Sequence, residues 1–321
     1  MSKVFLAAAF AAVISAPAFA AESLDDIMPS VSGFSTEVHV ACGSIKKANC
    51  DKVLPRIAEQ SVPKGVRIIP VESKGTVHSA NALCKVPDRV QAAIGQRDGF
   101  DEVRRQTECV GSIDLVGKPL YPYFGYMVTL ASKDFDSLNE MVEKTPQGKF
   151  RSIAAGQIGS GGQTTLGYML NNIPAYKQTI LPQPYDQNTA LDKLVEGGID
   201  AYFVMDGPGS ALIEDIAKRT DDKKKPIFKF VEINMPSDFY KSVKDWNGKP
   251  MYYKSKLESG GILGFGSKDT ISTDAVLVVA NKYNQGNPGT KATSIIRESA
   301  DKAEAAIRAD VNAPKDWNAD R

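Results

Sequence analysis

Histidine is almost absent from this chain. His39 and His78 are the only two in 321 residues, so a histidine-built metal centre or a His-based catalytic pair has almost nothing to draw on. Net charge is equally scarce: 39 Lys+Arg against 38 Asp+Glu leave +1. A chain so balanced offers no basic face for nucleic acid or for an anionic membrane. After the first twenty residues no apolar run is long enough to cross a bilayer. Low-complexity segments are missing too. Cysteine is limited to Cys42, Cys50, Cys84 and Cys109, all in the first third. Their spacing contains no C-x2-C pair, which argues against a four-cysteine zinc site.

Several catalytic signatures are also missing. Gly156 and Gly161 have the spacing of a P-loop, but Gly162-Gln163 stands where Lys-Ser/Thr is required. Gly159-x-Gly161 lacks the third glycine of a dinucleotide fingerprint. No G-x-S-x-G elbow occurs, and Ser44-Ile45-Lys46-Lys47 fits S-x-x-K without the S-D-N or K-T-G partners that an acylating serine needs. No two carboxylates stand at a defined glycosidase-like spacing. No nucleophile–base pair is evident, so an enzyme is not expected and no cofactor is implied.

The start of the chain reads as a targeting segment. Lys3 supplies the positive end, Val4–Ile14 is an apolar run, and Ala18-Phe19-Ala20 has the small-x-small cleavage pattern. Residues 1–20 are expected to be a signal peptide cut after Ala20, which places the mature chain in the periplasm of a Gram-negative source. Four cysteines in an exported chain suggest two disulfides. Of the three pairings, Cys42–Cys50 with Cys84–Cys109 is favoured because each closes a short local loop.

The remaining chain, about 300 residues, alternates strand, small-residue loop and helix, which predicts an α/β fold with a largely parallel sheet. Thr36–Ala41, Val66–Val71 and Val90–Gly95 read as the first three strands. Helices are expected over Asn49–Gln60 and from Val77. In such a sheet ligands bind at the carboxyl ends of strands. That places Ser44, the Ser73–Thr76 loop and Gln96–Asp98 on one rim. Each alone is explained by loop polarity or, for Ser44 and Thr76, by a helix cap; three successive strand ends favour a site. Tyr121–Leu130 reads as a long strand able to pass from one lobe to another. Arg151–Leu170 then repeats the opening arrangement as strand, glycine-rich turn and helix start. Its helix would point unpaired N–H groups and a positive dipole end at whatever lies above the loop. Later come a strand over Ile199–Met205 ending at Asp206, a helix from Ser210, a helix over Pro236–Trp246, a buried strand over Asp274–Asn281, and a final amphipathic helix over Thr290–Ala309. Hydroxyls, amides and loop N–H groups converging on a cleft form a binding site's inventory.

An ordered set of segments resembles a known family. These are Ser73-Lys74-Gly75-Thr76-Val77, Ala93-Ile94-Gly95-Gln96-Arg97-Asp98, Leu120-Tyr121-Pro122, Gly159-Ser160-Gly161-Gly162 with Thr164, and the run from Leu194 to Phe203 followed by Gly207-Pro208. Together they are similar to the solute receptors of TAXI-type TRAP transporters. The resemblance spans residues 36–309. One departure stands out. Where that family carries a glycine-rich turn and Tyr-Tyr-Pro after the first strand, this chain has Cys42–Cys50 with its intervening loop, so the family's tyrosine contacts have no counterpart there.

The resemblance implies a two-lobed type 2 periplasmic binding protein with crossing hinge strands and a central cleft. Residues 36–122 plus 273–321 would form one lobe and residues 132–272 the other. Ser44, Ser73, Gly75, Thr76, Gln96 and Asp98 would line the cleft from the first lobe, with Tyr121 near the crossing. Ser160, Gly161, Thr164 and Asp206 would line it from the second. The loop N–H groups would hold an anionic group such as a carboxylate; Asp98 or Asp206 would suit an ammonium or hydroxyl. The expected partners are a small ligand and integral membrane transporter subunits, with no nucleic acid, for a monomeric receptor. The alternatives are a ligand sensor for a signalling partner, an inorganic oxyanion binder such as one for phosphate, and an enzyme on the same scaffold.

Overall fold

Among the described residues the strand–loop–helix alternation folds into one continuous sheet of ten strands that repeats a single pattern twice. The computed structural model describes residues 36–45, 47–257, 267–315 and 317. The expected signal peptide lies outside the described residues.

The first half contains β1 (Thr36–Ala41), α1 (Leu54–Ser61), β2 (Val66–Val71), α2 (Thr76–Lys85), β3 (Ala92–Gln96) and α3 (Arg97–Arg104). β4 (Ile113–Leu130) leads into the second half. That half contains α4 (Leu138–Glu143), β5 (Arg151–Ala154), α5 (Gly161–Asn172), α6 (Pro174–Thr179) and β6 (Ile180–Gln183). It continues with α7 (Gln187–Val195), β7 (Ala201–Asp206), α8 (Ala211–Lys218), β8 (Phe228–Val231), α9 (Ser237–Ser242) and β9 (Tyr253–Leu257). β10 (Lys268–Ala280) returns to the first half, followed by α10 (Asn281–Asn284) and α11 (Asn287–Asp310).

The strand order is β2-β1-β3-β10-β4 in the first half. In the second it is β6-β5-β7-β4-β8. In each, the first strand sits between the second and third, and a strand arriving from elsewhere in the chain lies beyond the third. β1 pairs in parallel with β2 and β3, and β5 with β6 and β7. β4 and β10 run antiparallel to their neighbours. The sheet is therefore mixed, where alternation alone predicts a largely parallel one. The reason is the crossing: β4 leaves the first half and β10 comes back, so each enters its new sheet from the opposite end. They pair along almost their whole lengths, from Ala280 opposite Ile113 to Ser272 opposite Phe124, with a register shift between Ala275 and Leu277.

Each half-sheet is buried on both faces, as parallel strands require. Val38 and Val40 of β1 face α1 and α11 with Ile57, Ile296 and Ile307. Ala41 and Ala93 face the other way, towards Leu83, Phe100 and Val103 of α2 and α3. In the second half Ile153 and Phe203 pack on Leu166 and Met169 of α5. Ala154 and Tyr202 pack on Leu191, Leu194 and Ile216 across the sheet.

Helix starts in the second half are set by local chemistry. Ser137, Ser160, Asp186 and Ser210 each accept a backbone N–H two or three residues into α4, α5, α7 and α8, which answers donors that have no partner within the helix. Both cysteine pairs form disulfides, with Cα atoms 5.2 Å apart for Cys42–Cys50 and 5.5 Å for Cys84–Cys109. The sequence pattern and the structure differ at several helices, α6 and α10 among them, which no sequence pattern indicated. α9 stops at Ser242 instead of continuing to Trp246, because Lys244 turns back to bridge Pro250. Arg97-Asp98, expected as loop, begins α3.

Candidate functional site

A cavity of about 370 Å³ lies at the carboxyl ends of the strands and is walled by both halves of the sheet. From the first half, Ser44, Ser73, Gly75, Thr76, Gln96 and Tyr121 line it. From the second, Ser160, Gly161 and Asp206 line it. The starts of α2 and α5 meet there. Gly75 caps α2 at φ +130°, and a Cβ on it would lie 3.0 Å from the carbonyl oxygen of Gly159. Gly161 opens α5 against the Gln96 side chain; a Cβ there would fall within 3.0 Å of both polar atoms of that amide. Glycine is needed at Gly75 for its backbone as well as for the close approach.

Most of the predicted hydroxyls serve the loops before they serve a ligand. Ser73 Oγ accepts from Gly43 N at 3.0 Å and shares 2.7 Å with Ser79 Oγ. Thr76 Oγ1 accepts from Gln96 N at 3.1 Å. Ser160 Oγ donates to Ala155 O at 2.9 Å and accepts from Gln163 N at 3.4 Å. The groups left for a ligand are the first N–H groups of the helices, whose partners must come from outside the helix.

Two predicted residues lie behind the cavity wall. Asp98 is fully buried. Its Oδ2 accepts from Thr165 Oγ1 at 2.6 Å and Tyr252 Oη at 2.8 Å, and its Oδ1 from Gly99 N at 2.8 Å. Burial pushes its carboxyl up to about 6, against the pull of the Thr165 and Tyr252 hydroxyls. Thr164 donates to Glu102 Oε2 at 2.7 Å. Both belong to a polar seam where α3 packs on α5. Tyr168 Oη donates to Asp101 at 2.7 Å. Buried Arg97 joins Asp274 of β10 at 2.9 Å and Asp245 at 3.7 Å.

Sequence reasoning did not single out Lys47, Asn49, Lys74, Tyr123, Gln187 or Tyr202, which also line the cavity. Lys47 Nζ reaches across to Asp206 Oδ2 at 3.3 Å, joining the two halves. Asn49, Tyr121 and Tyr123 form a closed set. Tyr121 Oη donates to Asn49 Oδ1 at 2.5 Å, Asn49 Nδ2 donates to Tyr123 Oη at 3.0 Å, and the two hydroxyls are 3.0 Å apart. Burial raises Tyr123 to about 12 and Tyr121 well above the ordinary phenol value, so both stay neutral donors. Lys74 sits inside the quoted Ser73–Thr76 loop and was the most accessible of these from sequence. Asn49 and Tyr123 carry no local signal, since only the fold brings them together. Among the described residues no group of three or more His, Cys, Asp or Glu could hold a metal ion.

No family model matches the chain, and no curated protein matches it. Solved structures do. One comes from work on glutathione import in Gram-positive bacteria via GshT and the cystine ABC importer TcyBC of Streptococcus mutans. It aligns with a TM-score of 0.51 at 10% identity, over 87% of this chain and 95% of that one. A structure described as a periplasmic transporter aligns with a TM-score of 0.50 at 12% identity, over 89% and 91%. The chain has the two-lobed fold of the periplasmic binding proteins. That likeness, at so low an identity, concerns the fold alone. β4 and β10 join the two half-sheets, and the cavity lies between those halves.

Proposed function

We propose that the protein is an exported solute receptor. It captures a small anionic organic solute, a carboxylate or an amino acid, between its two lobes and delivers it to a membrane transporter. The lobes are residues 36–122 with 273–321 and residues 132–272, hinged on β4 and β10. The observation that carries this reading is the shared cavity: the starts of α2 and α5, one from each lobe, meet on its wall. Helix starts offer N–H donors and positive dipole ends, the chemistry that favours an anion. A volume of about 370 Å³ falls in the range of small-molecule sites.

A ligand touching both lobes favours the closed arrangement over the open one. The two disulfides suit an oxidising compartment such as the periplasm. The resemblance to TAXI receptors makes a TRAP transporter the partner, and the import system named for one of the two matched structures supports transport as the role. The receptor acts as a monomer. Isothermal titration of ligand-stripped protein across organic acids and amino acids tests the reading. One saturable site is the expected result, and silence across the panel counts against it.

A further inference from the structure

Charge is unevenly distributed on the cavity wall. Among the described residues Asp206 is the one carboxylate there, and both of its oxygens carry hydrogen bonds. Oδ1 accepts from Gly207 N at 2.8 Å; Oδ2 accepts from Ser210 Oγ at 2.7 Å and Lys47 Nζ at 3.3 Å. A cationic group on a ligand would have to share Asp206 with Lys47, which already balances its charge.

The other pole consists of donors. Lys74 stands at the exposed rim with no ion pair among the described residues. Gln96 is 4% exposed, and its Nε2 has no hydrogen-bond partner among the described residues. Its amide lies against Gly161 at the start of α5. The start of α2 lies alongside, with Gly75 against Gly159. A buried amide without a partner costs stability until something satisfies it. An anionic oxygen here would meet Lys74, Gln96 and two helix starts together.

Part of the remaining wall is apolar, with Ile94, Val204 and Leu212 on it beside the polar Asn49, Tyr123 and Gln187. A water's share of liquid volume is about 30 Å³, so the cavity of about 370 Å³ has room for roughly a dozen heavy atoms. An inorganic oxyanion would fill less than half of that and leave the apolar wall against water.

We infer that the site is built for an organic monoanion: one anionic head group against Lys74, Gln96 and the starts of α2 and α5, with an aromatic or branched apolar body along the apolar part of the wall. Of the two solute classes proposed above it favours the simple carboxylate over the zwitterionic amino acid, and it disfavours inorganic oxyanions. The inference rests on the cavity being the ligand site, as proposed above.

Calorimetry on the full mature chain, stripped of bound solute with its disulfides intact, tests it with three probes: phenylacetate, L-phenylalanine and inorganic phosphate. Phenylacetate is expected to bind at least about tenfold more tightly than either of the others, because the ammonium of phenylalanine would have to share Asp206 with Lys47 and phosphate leaves the apolar residues uncovered. Lys74→Met is expected to weaken phenylacetate about tenfold by removing a charge-assisted contact. Equal or tighter binding of phenylalanine or phosphate overturns the inference, as does an unchanged Lys74→Met variant. Silence towards all three probes overturns it too. If the silent protein still carries a small organic adduct in native mass spectrometry, the receptor reading stands. If it carries none and binds no solute at all, that reading falls with it.

Discussion

Asp98 shows how one residue couples fold and pH. Its carboxyl is enclosed between α3, α5 and Tyr252, and burial lifts it from its ordinary 3.8 to about 6. The folded chain thus holds this proton more tightly than the unfolded chain. The resulting stability is fully present below pH 3.8 and is lost as pH rises through about 6. The gap corresponds to about 3 kcal/mol. Asp98→Asn has no such titration. Its stability relative to the parent should rise by about that amount between pH 4 and pH 7 in urea denaturation; a difference that stays flat across that range contradicts the assignment. The sequence reading puts the residue on the cleft rim, at a strand's carboxyl end. Its position behind the wall is not legible there, because that depends on Thr165 and Tyr252 arriving from the other lobe.

At the scale of elements, α5 offers an internal comparison. A Cβ on Gly162 would lie 2.7 Å from Ala155 O and 3.1 Å from Phe203 O, both backbone atoms that cannot swing aside. Gly167, in the middle of the same helix, has nothing within 4 Å of a Cβ. Gly162→Ala should therefore destabilise by about 2 kcal/mol or more through overpacking. Gly167→Ala should stabilise by up to about 1 kcal/mol through helix propensity. Thermal denaturation of the two variants gives opposite signs if the packing is as described, and the same sign if it is not.

The Cys84–Cys109 disulfide ties the end of α2 to the turn before β4. Replacing both cysteines by alanine should cost about 3 kcal/mol, measured by denaturant midpoint. A cost near zero would mean the bridge adds nothing to the folded chain.

Which elements could be read from sequence follows from their burial. β1 and β2 have the bounds their alternation indicates, and the glycine turn does open α5. α3 escaped notice because Phe100 and Val103 are its only buried large apolar side chains, while Arg97, Asp98 and Asp101 are buried beside them. Two apolar residues in eight make no clear hydrophobic period.

Taken as a whole molecule, the chain is one pattern used twice and joined by two long antiparallel strands. The alternation of elements made the α/β class and the crossing strand legible. It could not show that β10 lies between β3 and β4, or that β8 joins β4, since strand order is a long-range property. The same limit applied to the cleft. Loop residues at strand ends could be named one lobe at a time, while Lys47 meeting Asp206 appears only when the lobes are together.

A cleft that holds a small organic anion, as proposed, should reveal it. Native mass spectrometry of freshly purified protein tests this most directly, because a closed cleft retains its solute through purification. The account predicts one adduct of small organic mass per chain, present under native conditions and lost on denaturation. A bare chain that also takes up no organic acid or amino acid when these are added would contradict it.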